Sequence, residues 1–129
     1  MNTYYNYNSN FLSNFENIYK NISVFRSIIV VNNLNEAKYL KNKLIEYDHC
    51  VFTIKNLNIL NKLNFNELYQ RIFIITTDLF INFINYLIDY ELYSSISLIT
   101  FYKFNNSIKL LLTSYYNNIT NNYHNTIII

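Results

Sequence analysis

The sequence predicts an α+β fold, a mostly antiparallel sheet of about four strands with helices packed on one face. Apolar, β-branched runs alternate along the chain with segments of helical periodicity. A sheet of four strands leaves one face open, and strands buried on both faces should be more uniformly apolar. Hydroxyl side chains interrupt the strands here, at Thr53, Thr76, Ser97 and Thr100. The alternation of strand and helix leaves a parallel α/β sheet as the alternative.

The composition is typical of a packed domain, with 51% hydrophobic and 14% charged residues. The 129 residues predict a single domain over 1–129, with residues 117–129 as a frayed tail. Gly and Pro are absent and Asn is the commonest residue. A strong A+T bias in the gene explains this, and it points to an organelle, a parasite or a large DNA virus. Because Asn is the best substitute for Gly in left-handed turns, we expect Asn at those positions.

The first half of the chain predicts helix, strand, helix and strand. FLSNFENIYKN has apolar residues at helical spacing, and RSIIVVN is an apolar strand. NEAKYLKNKLIEY is the second helix, with Asn33 as its N-cap and Glu36 completing a capping box. CVFTIK is the second strand, and the Asn-rich segment 56–69 predicts no clear element. The apolar face of the second helix comprises Leu34, Ala37, Leu40 and Leu44.

The second half predicts strand, helix, strand and helix. RIFIITT is a strand, and Asp78 starts the clearest helix of the chain. SSISLITFYKF is the fourth strand, and Asn105 or Asn106 can cap the last helix. The core-facing residues of the helix at Asp78 are Phe80, Phe83, Ile84, Leu87 and Ile88. Those of the last helix are Ile108, Leu111, Leu112 and Tyr115.

The residue types exclude most catalytic sites. Without Gly there is no Gly-rich phosphate loop and no nucleophile elbow. The lone Cys50 excludes an internal disulfide or a multi-cysteine zinc site, and we expect it to be buried. His49 and His124 have no partner at metal-ligand spacing. The sequence therefore predicts no enzyme, no cofactor and no metal site.

The sequence also disfavours a membrane protein. Its longest apolar stretch, IFIITTDLFINFINYLI, has Asp78 near its centre, and a buried charge there opposes insertion. The opening MNTYYNYNSN has neither the basic start nor the apolar core of a signal peptide. We therefore expect no membrane partner.

Amides, hydroxyls and isolated cations flank the strands. With a formal net charge of +2, the chain permits contact with nucleic acid without demanding it. Turn chemistry explains each of these residues singly, but together they predict a mildly basic rim that hydrogen-bonds RNA phosphate and 2′-OH groups. The candidate RNA-binding residues are Asn32, Asn33, Lys55, Asn56, Lys62, Arg71, Thr76, Thr77 and Lys103.

Four segments, in order, resemble the large-ribosomal-subunit protein family L-five, which binds 5S rRNA. YKNISVFRSIIVVNNLNEA resembles the family's opening of helix, strand ending in Asn, and helix. HCVFTIKN, QRIFIITTDLFINFINYLI and ISLITFYKFNNSIKLLLTSYY resemble its later segments. The chain departs from the family pattern in lacking its glycines and prolines, in having Thr76 and Thr77 for an Arg-Gly pair, and in reducing a long insert to DYELYSS.

This resemblance implies an antiparallel α+β fold and a structural role in an organellar large ribosomal subunit. The implied partners are 5S rRNA, large-subunit rRNA and neighbouring ribosomal proteins. In the family, the loop that corresponds to residues 57–69 reaches toward the P-site tRNA. Together with the A+T bias, the resemblance implies a protein of the plastid (apicoplast) ribosome of apicomplexan parasites.

A second resemblance leads to a different function. SIIVVNNLNEAKYLKNKL and RIFIITTDLF resemble strands and helices of helicase-like ATPase domains. The phosphate loop and the acidic metal motif are absent, so such a domain could only be a degenerate, non-catalytic remnant that interacts with proteins. A fully parallel sheet would favour this hypothesis. A third hypothesis is a small viral structural protein with no nucleic-acid role.

Overall fold

The structure is a computed structural model that describes residues 11–21, 26–56, 58, 71–89, 96–120 and 126–128. The helices in these ranges are α1 (Phe11–Asn21), α2 (Leu34–Glu46), α3 (Thr77–Asp89) and α4 (Asn106–Thr120). The strands are β1 (Arg26–Val31), β2 (Val51–Ile54), β3 (Arg71–Thr76), β4 (Ile96–Phe101) and β5 (Ile127–Ile128). The predicted elements within these ranges are therefore present, and β5 is an addition.

The strands form one sheet in the order β2-β3-β1-β4-β5, and every adjacent pair is parallel. Ile28 at the middle of β1 is paired with Phe73 on one side and Ile99 on the other. The predicted antiparallel sheet is therefore wrong. Because all strands run the same way, their carboxyl ends lie along one edge of the sheet.

Helices cover both faces of this sheet, which corrects the expectation of helices on one face. On one face, Phe15 of α1 and Leu40 of α2 pack against β1, β3 and β4. On the other face, Phe83 of α3 and Tyr116 of α4 pack against the same strands. The chain crosses from β1 to β2 in one direction and from β3 to β4 in the other. Right-handed crossovers that run in opposite directions place their helices on opposite faces.

The central strands show why the parallel arrangement is stable. Ile28 and Val30 face α3 and α4, whereas Ile29 and Val31 face α1 and α2, and all four side chains are fully buried. Burying both faces of β1 and β3 requires the continuous apolar runs that these strands have. The hydroxyls that suggested an exposed face are themselves buried in two cases, Thr76 and Thr100. A short hydroxyl side chain in a strand is therefore a poor sign of solvent exposure here.

One further expectation stays a prediction, and another is corrected. Residues 117–120 belong to α4, and Ile127 and Ile128 pair with β4. Fraying of residues 117–129 in solution stays a prediction. Cys50 is exposed rather than buried, because it lies just before β2, an edge strand of the sheet. Lys62 and most of the Asn-rich segment lie outside the described residues. None of the described helices is long and apolar enough to cross a membrane.

Candidate binding cleft at the carboxyl edge of the sheet

The carboxyl ends of β1, β2 and β3 meet at an open cleft of about 580 Å³, which we call the carboxyl-edge cleft. Its polar residues end or follow these three strands, and α2 and α3 both begin at its wall. The cleft is lined by Asn32, Asn33, Leu34, Lys55, Thr76, Thr77, Asp78 and Leu79.

Asn33 is the residue that starts α2. Its Oδ1 accepts a hydrogen bond from the Glu36 backbone N–H at 3.0 Å, so the predicted N-cap is confirmed. Its Nδ2 donates to Glu36 Oε1 at 3.2 Å, in place of the backbone bond of a standard capping box. Asn33 therefore orients the first turn of α2 toward the cleft.

Two further hydrogen bonds hold the walls of the cleft together. Asn32 Nδ2 donates to the Lys103 carbonyl at 3.1 Å, which ties the end of β1 to the end of β4. Thr77 Oγ1 donates to the Val31 carbonyl at 3.1 Å, which ties the start of α3 to β1. These bonds fix the spacing of the segments that end the central strands.

The electrostatics of the cleft favour an anionic or hydrogen-bonding ligand. α2 and α3 both begin beside the cleft, so the positive ends of their dipoles lie next to it. Lys55 adds a positive charge, which the exposed Asp78 offsets. Thr76 lines the cleft although only 7% of its surface is exposed, so the floor of the cleft is polar.

The parallel sheet brings most of the candidate RNA-binding residues together. Five of them line the cleft: Asn32, Asn33, Lys55, Thr76 and Thr77. Lys103 lies beside the cleft, because its carbonyl accepts the hydrogen bond from Asn32. Its Nζ lies 5.4 Å from the centroid of the Tyr102 ring. Asn56 is exposed beyond Lys55, but it does not line the cleft. Arg71 starts β3 and so lies at the opposite, amino edge of the sheet.

Other residues that face this edge were missed by sequence reasoning. Leu34 is 54% exposed at the rim of the cleft, although its spacing placed it on the buried face of α2. Lys38 and Lys41 line a second groove that opens beside the cleft. The sequence does carry a sign of this groove. Lys38 and Lys41 follow Leu34 by one and two helical turns, so all three residues lie on the same side of α2.

Potential metal ligands do not cluster in the described part of the chain. Within the described ranges, no three His, Cys, Asp or Glu side chains lie close enough to hold a metal ion. His49 is hydrogen-bonded through Nε2 to Glu16 Oε1, which joins the α2–β2 turn to α1. The ionisable side chains that line the cleft are those of Lys55 and Asp78.

The fold and the cleft together define a parallel α/β domain with an open cleft at the carboxyl ends of its strands. Comparison of the chain with models of protein families, with characterised proteins and with solved structures gives no match.

Proposed function

We propose that the chain is a non-catalytic, helicase-like α/β domain that binds single-stranded RNA in the carboxyl-edge cleft. The observation that carries this proposal is the convergence of Asn32, Lys55 and Thr77 on one cleft. The all-parallel sheet supports it as well, since that arrangement distinguishes the helicase-like hypothesis from the ribosomal one.

The position of the cleft matches where ligands bind in doubly wound sheets. Ligands of such folds bind outside the carboxyl ends of the strands, where crossovers leave to opposite faces and open a crevice. The helix after β1 packs on one face of this sheet and the helix after β3 on the other. The cleft lies between the carboxyl ends of these two neighbouring strands.

The chemistry of the cleft suits the RNA backbone. Helix N-termini and a lysine interact favourably with phosphate oxygens. Amide and hydroxyl side chains such as those of Asn32 and Thr76 can hydrogen-bond a 2′-OH, which DNA lacks. The domain has no Gly-rich phosphate loop, so the proposal involves binding without nucleotide hydrolysis.

The ribosomal hypothesis loses its structural support. It required an antiparallel sheet with one side open to 5S rRNA, whereas here helices cover both faces. The 5S rRNA, the ribosomal proteins and the plastid location stay untested predictions.

The proposal is tested by fluorescence anisotropy with a labelled uridine decamer at 50 mM salt. We expect Lys55→Glu to weaken binding about tenfold or more, because it replaces a cation at the cleft with a repelling charge. The matched control is Lys20→Glu, since exposed Lys20 lies in the last turn of α1. That turn is at the amino edge, where the neighbouring Tyr19 ring contacts His49. Equal loss of affinity in both variants, or no binding by the native chain, would refute the proposal.

A further inference from the structure

We propose that the RNA strand continues from the carboxyl-edge cleft into the groove between α2 and β2, where Lys38, Lys41 and Lys55 contact its phosphates. This inference rests on the proposed function and extends it by assigning the path of the strand. The groove, which we call the α2–β2 groove, has a volume of about 760 Å³.

The α2–β2 groove is continuous with the cleft. Leu34 and Lys55 line both, so a strand bound in the cleft passes directly into the groove. From Leu34 to Lys41 the helix rises about 10 Å at 1.5 Å per residue, which gives the groove one wall along half of α2. The opposite wall is β2, an edge strand of the sheet.

The charge of the groove is complementary to a polyanion. Three lysines and no carboxylate are among its lining residues, which are Leu34, Asn35, Ala37, Lys38, Lys41, Asn42, Phe52, Thr53 and Lys55. Lys38 and Lys41 are three residues apart, so they project from the same side of α2. The other lysine near the end of α2, Lys43, does not line the groove, and its Nζ lies 4.0 Å from Glu46 Oε2.

The groove offers lysines rather than an aromatic platform. The ring of Phe52 stacks on Phe73, with 5.7 Å between the ring centroids, and packs on the face of the sheet that α3 and α4 cover, opposite to α2. The groove therefore holds a strand through its phosphates, as the basic grooves of single-strand-binding proteins do, and not by stacking of bases. Continuity with the cleft favours RNA over the other polyanion that fits, an acidic peptide.

The test compares two double variants that lower the net charge equally. Lys38→Ala/Lys41→Ala removes the groove lysines, and Lys20→Ala/Lys43→Ala removes two lysines elsewhere. All four sites are on helices, where Ala is well tolerated, and circular dichroism confirms folding. The affinity for the uridine decamer is measured between 50 and 300 mM salt.

Three phosphate contacts give a slope of log affinity against log salt of about −2 for a single strand. We expect the groove double variant to reduce this slope to about −0.7 and to weaken binding about tenfold at low salt. The control double variant should keep the native slope.

Other results would overturn the inference in distinguishable ways. If the groove variant binds like its control while Lys55→Glu abolishes binding, the strand does not follow the groove, and the cleft proposal stands. If the native chain does not bind the decamer, both proposals fail. If a glutamate decapeptide displaces the RNA at equal or lower concentration than unlabelled decamer, the groove is a site for acidic peptides.

Discussion

Two threonine hydroxyls, one in β4 and one at the start of α3, should affect the free energy of unfolding in opposite ways, because only one of them has a hydrogen-bond partner. Thr100 is fully buried in β4, and no hydrogen-bond partner for its Oγ1 lies among the described residues. Thr77 Oγ1 instead donates to the Val31 carbonyl. A buried hydroxyl without a partner costs free energy, whereas a satisfied one contributes about 1 kcal/mol.

We therefore expect the same substitution to change stability in opposite directions at these two sites. Thr100→Val keeps the β-branched shape and removes the unsatisfied oxygen, so it should raise the free energy of unfolding by about 1 kcal/mol. Thr77→Val should lower it by about 1 kcal/mol, because the Val31 carbonyl loses its donor. Urea denaturation measures both. A loss of stability in Thr100→Val equal to that in Thr77→Val would contradict this account.

The asparagines show which residue roles are readable from sequence. Asn33 and Asn105 accept hydrogen bonds from the first turns of α2 and α4, as the sequence predicts. N-capping is local, so the residues that follow reveal it. The expectation that Asn takes the left-handed positions is wrong for the described residues, where Asp48 and Lys103 have φ of 66° and 60°. The left-handed residues lie where the chain changes direction between elements, and the tertiary fold decides where that happens.

At the scale of elements, the carboxyl end of α2 is closed by a Schellman motif. Asp48 N–H donates to the Ile45 carbonyl at 2.9 Å, and His49 N–H donates to the Leu44 carbonyl at 3.2 Å. The residue at the Asp48 position must be left-handed, and glycine is strongly preferred there. The motif also places His49 beside Glu16, which joins α2 to α1.

Asp48→Gly should raise the free energy of unfolding by about 1 kcal/mol. Glycine removes the Cβ clash of the left-handed conformation, and it removes a negative charge from the negative end of the α2 dipole. The thermal midpoint should rise by a few degrees. Asp48→Asn separates the two causes, because it removes only the charge. A midpoint of Asp48→Gly below that of the native chain would contradict the Schellman assignment.

Helix α4 shows why periodicity alone did not identify every buried face. The predicted apolar stripe included Leu111, which is 70% exposed. The buried stripe runs one residue away, through Lys109, Leu112, Thr113 and Tyr116. Burial lowers the pKa of Lys109, whose aliphatic stem can pack while its ammonium reaches outward. Because Lys109 and Thr113 on the buried side are polar, a search for regularly spaced apolar residues does not find this stripe.

At the scale of the whole molecule, the sequence predicts the positions of the strands but not their direction. The strands β1, β3 and β4 can be recognised in the sequence, because each is a continuous apolar run of the length of a buried strand. Parallel pairing depends on contacts between distant segments, such as Ile28 with Phe73, which no local pattern reveals. The candidate binding residues meet at one edge because each follows or ends a strand, and parallel strands end together.

A hydrogen-bonded chain at the other end of the sheet links β5 to the rest of the molecule. The Tyr116 hydroxyl of α4 lies 3.1 Å from Thr126 Oγ1, and Thr126 Oγ1 donates to the Ile96 carbonyl at 2.8 Å. Tyr116 is fully buried, and this burial raises the pKa of its hydroxyl to about 12. The folded state therefore holds the Tyr116 proton more tightly than the unfolded state, in which the pKa is about 10.

The contribution of Tyr116 to the free energy of unfolding should be fully present below pH 10 and should be lost as the pH rises from 10 toward 12. The loss should reach about 2–3 kcal/mol, because the pKa is about 12 in the folded state and about 10 in the unfolded state.

Tyr116→Phe cannot ionise at this position, so its stability should not show this loss. At pH 8 it should be about 1 kcal/mol less stable than the native chain, because it lacks the hydrogen bond of the hydroxyl. It should become the more stable of the two near pH 12. Urea denaturation at pH 8 to 12 measures the crossing, and exposed Tyr39→Phe is the control. Parallel pH profiles for the native chain and Tyr116→Phe would show that α4 does not bury this hydroxyl against β4 and β5.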